Sequence, residues 1–202
     1  MKLQTARGVR DIPPEEKIVK NKVVTSLQSM FERYGFLPLE TPIIERFETL
    51  AAKGGAGTAS DALKETFTFQ DQGKRKLGLR FELTTSLARY VTQNPTLKLP
   101  FKRYEMGPVF RDGPIKLGRY RQFWQCDVDT IGTASMLADA EIVSLAQTFF
   151  NFWNLNVVIK VNNRKLLNGI LTQAGIKNKE NALIAIDKLE KIGIPGVKKE
   201  LQ

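Results

Sequence analysis

Hydrophobic positions change their period several times along this chain, and each change marks an element. Val23, Leu27, Met30, Phe31 and Tyr34 recur at helical spacing behind Pro13-Pro14-Glu15-Glu16. Proline in a first turn and carboxylates at the positive end of the dipole favour a helix start there, and Gly35 stops the run. Phe36 to Glu40 is short, extended and bounded by prolines. Ile43 to Lys53 reads as a helix that ends in Gly54-Gly55-Ala56-Gly57, a flexible loop. Thr66 to Phe69 alternates, turns through Asp71-Gln72-Gly73 and resumes at Leu77 to Phe81, which predicts a hairpin. Thr84 to Thr92 suits a helix ended by Asn94-Pro95.

Two extended runs follow, Phe101 to Arg111 and Arg119 to Ile131, joined by a loop that carries Gly113-Pro114 and Gly118. Ser135 to Trp153 has a helical apolar stripe of Ile142, Leu145, Ala146, Phe149, Phe152 and Trp153. Val157 to Val161 reads as a strand, Lys165 to Ala174 as a helix, and Asn178 to Ile192 as another helix, opened by a good capping residue. Because most strands are joined as hairpins, the expected class is α+β: a mixed, mainly antiparallel sheet flanked by helices.

Composition narrows the chemistry. The chain has 202 residues, 42% of them hydrophobic, with 31 basic and 21 acidic side chains for a net charge of +10. It has no histidine, which removes every mechanism that needs an imidazole base or ligand, and its lone Cys126 excludes an internal disulfide framework or a multi-thiolate zinc site. No run approaches the ~18 apolar residues of a membrane span, and the start lacks a signal-peptide stretch. These features predict a soluble, cytoplasmic protein with no membrane association. The basic balance favours polyanionic partners.

The run Gly118-Arg119-Tyr120-Arg121-Gln122-Phe123-Trp124-Gln125-Cys126-Asp127-Val128-Asp129 carries the chemistry. Read as a strand, it turns Arg119, Arg121, Phe123, Gln125, Asp127 and Asp129 to one face. Tyr120, Gln122, Trp124, Cys126 and Val128 turn to the other, which suits the core. The preceding strand alternates Arg103, Glu105, Gly107, Val109 and Arg111 with Tyr104, Met106, Pro108 and Phe110. Guanidinium groups fork onto phosphates, an aromatic ring stacks a base, and carboxylates orient an amine or a metal, so this face has the makings of a nucleotide platform. An exposed face with cross-strand ion pairs accounts for the same pattern.

Several ordered motifs resemble those of class II aminoacyl-tRNA synthetases, and of the histidyl-tRNA synthetase family in particular. Arg119, Phe123 and Asp127, after the V-F-R turn at Arg111, look like motif 2. Tyr34-Gly35-Phe36 through Thr41-Pro42-Ile43-Ile44-Glu45 resembles motif 1, the dimer interface of that class, with Pro42 inside it. Leu79-Arg80-Phe81-Glu82-Leu83-Thr84 resembles the segment that contacts the substrate α-amino group, and Asn162-Asn163-Arg164 and Asp187-Lys188-Leu189 also match.

This resemblance implies a homodimeric, ATP- and Mg2+-dependent ligase that activates L-histidine and charges tRNA(His). Arg111 would contact the α-phosphate of ATP and the histidine carboxylate. Arg119 would hold the outer phosphates, and Phe123 would stack the adenine. Glu82, Thr84, Gln125 and Asp129 would bind histidine, with Asp129 facing its imidazole; Glu82 and Thr84 also fit a helix-capping role. Motif 2 commonly has an acid two positions after its arginine, where Gly113 stands here and Asp112 is adjacent. No Gly-Arg run after Lys165 matches motif 3. The implied division is 1–165 as a partial catalytic core and 166–202 as a helical segment, an incomplete class II fold whose isolated chain would be inactive or weak. Two rivals stay open. One is a synthetase-like histidine-sensing regulator of the kind found as the ATP phosphoribosyltransferase regulatory subunit, and the other is a basic RNA-binding module. Retention of Arg111, Arg119 and Phe123 argues for ATP use.

Overall fold

Helix α1 (Pro14–Arg33) begins on proline, with Glu15 and Glu16 in its first turn. It ends in a left-handed turn at Gly35 (φ 78°), where Gly35 N–H donates to Glu32 O and Phe36 N–H donates to Phe31 O. Only glycine takes that φ without strain, and the reversal lets Phe31 and Phe36 meet across it. Both are buried with Tyr104 and Leu145, and Leu27, Tyr34, Met106 and Val128 pack around them. This cluster joins α1 and α5 (Leu137–Phe152) to one side of the main sheet.

That sheet has the order β1-β5-β6. Strand β1 (Leu37–Pro38) runs parallel to β5 (Phe101–Phe110), and β5 pairs antiparallel with β6 (Gln122–Ile131) over its full length. A second sheet, β2-β4-β3, joins β2 (Ile44–Arg46), β4 (Lys76–Leu79) and β3 (Thr68–Gln70) in antiparallel pairs. A short helix, α3 (Asp61–Lys64), precedes β3, and helix α4 (Thr84–Gln93) follows β4 and is tied to β2 by the Arg89–Glu45 ion pair at 2.8 Å. The computed structural model describes residues 3–52 and 61–201. Mixed, mainly antiparallel α+β architecture is as the patterning predicts.

Several local expectations need correcting. Ile43 to Lys53 is not one helix: Ile44 pairs with Leu79 in β2, and only α2 (Phe47–Ala51) is helical. A tertiary ladder overrides the apolar spacing there; Lys53 and the Gly54–Gly57 loop lie outside the described residues. The second long strand begins at Gln122 instead of Arg119. Its even face is only partly core: Val128 packs inward, but Trp124 is 38% exposed and Cys126 is exposed. Lys20 of α1 covers the indole at 3.8 Å from the ring centroid. Val157 to Val161 is not a strand, and Val158 is 86% exposed. An extended run without a ladder leaves its backbone to water.

The chain forms two compact units, Met1–Asn156 and Val157–Gln202, dividing ahead of the 165/166 boundary expected from sequence. In the second, Asn163 caps α6 (Arg164–Gln173) and Asn178 caps α7 (Lys179–Asp187), each through its side-chain oxygen. The helix expected over Asn178 to Ile192 breaks at Lys188, and α8 (Leu189–Leu201) kinks at Gly193 (φ 66°). Leu171, Ala182 and Leu183 form this unit's core. Among the described residues no helix is long and apolar enough to cross a membrane.

Candidate active site

The β5–β6 ladder decides which side chains share a face. Val109 lies opposite Phe123, Gly107 opposite Gln125, Glu105 opposite Asp127 and Arg103 opposite Asp129. Odd positions of both strands therefore point together. Phe123 and Asp129 are on one side of their backbone, about 20 Å apart along the strand at ~3.3 Å per residue. The two ends of this face differ in chemistry.

At the Phe123 end, the Arg111 guanidinium lies between two aromatic rings, with Cζ 4.3 Å from the Phe81 centroid and 4.8 Å from that of Phe123. Such stacking holds a planar cation in place while leaving its edge for an anion. Arg111, Gly113, Pro114, Arg119, Tyr120 and Phe123 line a cavity of about 300 Å³. Arg119 comes to it from the loop between the strands. That loop closes on a tight turn between Lys116 and Arg119, with Gly118 at φ 73°. Arg119 also faces Glu65 at 3.6 Å. Arg121 does not join the cavity: its side chain pairs with Asp112 at 3.0 Å, and its N–H donates to Gly8 O at 2.7 Å. Asp112 thus pins the loop, and the open side of Gly113 lies against the Glu65 carboxylate.

At the other end the face is buried and ionic. Glu105 Oε1 accepts from Thr41 N–H at 2.9 Å and Thr41 Oγ1 at 2.8 Å, and pairs with Arg80 Nη1 at 2.9 Å. Arg80 reaches across Gly107, where a Cβ would strike its guanidinium, and donates to Thr41 O at 2.7 Å and Pro108 O at 2.9 Å. Arg103, fully buried, places Nη2 2.8 Å from Asp129 Oδ2 and Nη1 3.8 Å from Glu105 Oε2. Burial pushes the Asp127 and Asp129 carboxyls above the usual aspartate range, with Glu82 and Glu105 adding repulsion and Arg103 opposing it. Gln125 keeps a buried Oε1 without a hydrogen bond among the described residues.

Glu82 sits beside this end and caps α4: its carboxylate accepts from Thr84 N at 2.7 Å, Thr85 N at 2.8 Å and Thr85 Oγ1. Burial raises its pKa, but the Thr85 and Thr84 hydrogen bonds outweigh that and hold it below the usual range. Of the two roles weighed for Glu82, these bonds supply the helix-capping one. The Thr84 side chain is exposed and lines a different cavity of about 510 Å³, with Thr49, Thr85, Ala88 and Arg89. Another cavity, about 570 Å³ between α1 and the end of α5, is lined by Arg33, Phe152 and Trp153, away from the β5–β6 face. Among the described residues no three His, Cys, Asp or Glu side chains gather to hold a metal ion.

A family model described as histidyl-tRNA synthetase matches residues 8–197. The chain belongs to the histidyl-tRNA synthetase family. It is 49% identical to histidine–tRNA ligase 1 of Bacillus cereus, covering all of this chain and 46% of that protein. It is 44% identical to the histidine–tRNA ligase of Aeropyrum pernix, over 97% of this chain and 45% of that one. The histidyl-tRNA synthetase of Nostoc sp. superposes with a TM-score of 0.84 at 34% identity, over all of this chain and 45% of that one. An ATP phosphoribosyltransferase regulatory subunit/histidyl-tRNA synthetase from Bacillus halodurans gives 0.80 at 21% identity, over 97% of this chain and 50% of that one, a likeness of fold alone. The chain spans just under half the length of the curated relatives it matches.

Within this histidyl-tRNA synthetase fold, the ladder brings Phe123, Gln125 and Asp129 to one face with Arg111 beside Phe123. Sequence reasoning assigned no site role to Arg80, Arg103 or Glu105. For Arg103 and Glu105 a signal was present: charged residues at alternate positions facing the acids of the next strand must pair if that face is buried.

Proposed function

We propose that the chain carries the ATP and histidine half-sites of a histidine–tRNA ligase. Arg111 and Arg119 hold the triphosphate and Phe123 stacks the adenine. Glu82 and Gln125 receive the histidine ammonium group, Thr84 holds the Glu82 carboxylate through its backbone N–H, and Asp129 accepts the imidazole N–H. A histidine carboxylate oxygen attacks the α-phosphorus, the bond to the bridging oxygen breaks, and pyrophosphate leaves. Arg111 acts by position and charge, since no base is needed to activate a carboxylate. A hydroxyl of the terminal ribose of tRNA(His) then attacks the acyl carbon of the adenylate, taking the histidyl group as AMP leaves, and the net charge of +10 supports that partner. Mg2+ would enter with the nucleotide, held mainly by its phosphates. Homodimerisation through the motif 1 segment is supported by the exposed run of Pro42, Ile43 (40%) and Ile44 (51%). Cytoplasmic residence follows from the tRNA substrate.

The observation that carries the reading is the shared face, with the Arg111–Phe123 stack at one end and Asp129 at the other. Calorimetric titration of the chain with ATP and with L-histidine tests it. Phe123→Ala should weaken ATP about tenfold or more, as expected for loss of a stacked base at roughly 1–3 kcal/mol, and leave histidine unchanged. Asp129→Ala should do the reverse. Histidine binding without ATP binding would favour the regulator instead, and salt-steep RNA binding without either would favour the RNA module.

A further inference from the structure

The candidate histidine site contains a charged side chain that no ligand role uses. Arg103 is 0% exposed, yet its Nε and Nη1 have no hydrogen-bond acceptor among the described residues. Nη2 makes one long contact, to Leu83 O at 3.4 Å, and otherwise lies against Asp129 Oδ2 at 2.8 Å without hydrogen-bond alignment. A buried guanidinium gains little from such poor pairing and costs several kcal/mol to desolvate. Fold stability is therefore a weak reason for it to be there.

Its surroundings supply a better one. Asp129 and Asp127 come from β6, Glu105 from β5 and Glu82 from the turn before α4. Arg80 enters from the end of β4, but its guanidinium is engaged by Glu105, Thr41 and Pro108. Arg103 is thus the cation that faces the two aspartates, and it reaches Asp129 most closely. The Asp129 side chain stays 27% exposed while Oδ2 is sealed against Arg103, so the carboxylate presents its remaining surface to the cleft.

We propose that Arg103 is a positioning residue for amino-acid selection: it holds Asp129 ionised and aimed, so that the carboxylate accepts the substrate's ring N–H. This rests on the reading of Asp129 as the imidazole contact. A neutral carboxylic acid at that place would present a donor to the ring and lose discrimination against amino acids that lack one. Arg103 itself touches no substrate.

Carbon-13 NMR of the Asp129 carboxyl in the free 202-residue chain tests the proposal without any ligand. Arg103→Met should raise its titration midpoint by about 1–3 pH units, the usual worth of an opposite charge at contact distance, and Arg103→Lys should restore most of the shift. In the unsubstituted chain the Arg103 guanidinium nitrogens should shift with the same midpoint as Asp129; this needs no variant to fold. A midpoint unmoved in Arg103→Met, or guanidinium signals silent through the Asp129 titration, overturns the proposal. Histidine titration then adds the functional consequence: Arg103→Met should bind L-histidine at least about tenfold more weakly at pH 6, with the gap narrowing by pH 8. If the unsubstituted chain binds no histidine, the reading of the site fails while the carboxyl titration still decides the role of Arg103.

Discussion

The two ends of the β5–β6 ribbon hold charge in opposite ways. At Phe123 an arginine is clamped by aromatic faces, its neighbours come from a loop, and Arg119 is 53% exposed. At Asp129 two arginines and several carboxylates are sealed together, with Arg80, Arg103 and Glu105 all at 3% exposure or less. A stacked guanidinium is always charged and keeps its edge for an anion. A buried cluster must balance its own charges, so its stability and its ligand preference are linked to pH. One strand pair thereby joins an end of fixed charge to an end whose charge depends on proton occupancy.

Breaking the buried balance should have the largest effect. Glu105→Gln leaves Arg80 and Arg103 without their shared counter-charge, and urea denaturation should show a loss of about 3–5 kcal/mol. Arg111→Gln at the other end exposes no buried charge, and its stability loss should stay below about 1 kcal/mol.

A smaller, opposite effect is expected for Asp127→Asn. The folded Asp127 and Asp129 carboxyls lie above their unfolded values, so the native chain binds more protons in that window. Stability therefore falls as pH rises from the ordinary aspartate value through the folded one. Asp127→Asn removes one such charge and should raise Tm at pH 7 by roughly 2–4 °C, equivalent to about 1 kcal/mol. Below the ordinary aspartate value the advantage should vanish. Glu82 has the other sign: its folded value is lowered, so its contribution is present above the unfolded value and lost as pH falls through the folded one. Differential scanning calorimetry between pH 3 and 8 separates the two slopes.

These contrasts also explain what patterning could and could not read. Alternation over Phe101 to Ile131 predicted two facing strands and put Phe123, Gln125 and Asp129 on one face, because a period of two is a local property. It overran at Arg119 and Arg121, where Arg121 is held by Asp112 across the loop and by Gly8, far away in the sequence. It took Ile43 to Lys53 for a helix because the β2–β4 ladder is non-local. It missed Arg80 and Arg103 because a charged residue's burial depends on where its counter-ions fold, and a single strand does not carry that information.

The central claim is that ATP and histidine lie end to end on one strand face. A non-hydrolysable sulfamoyl analogue of histidyl-adenylate spans both ends, and its affinity for the chain can be measured calorimetrically in Phe123→Ala, Asp129→Ala and the double variant. Each single substitution should weaken binding by about tenfold or more, and the double should approach the product of the two, because the sites are too far apart to interact directly. Binding unchanged by either substitution would contradict the shared face.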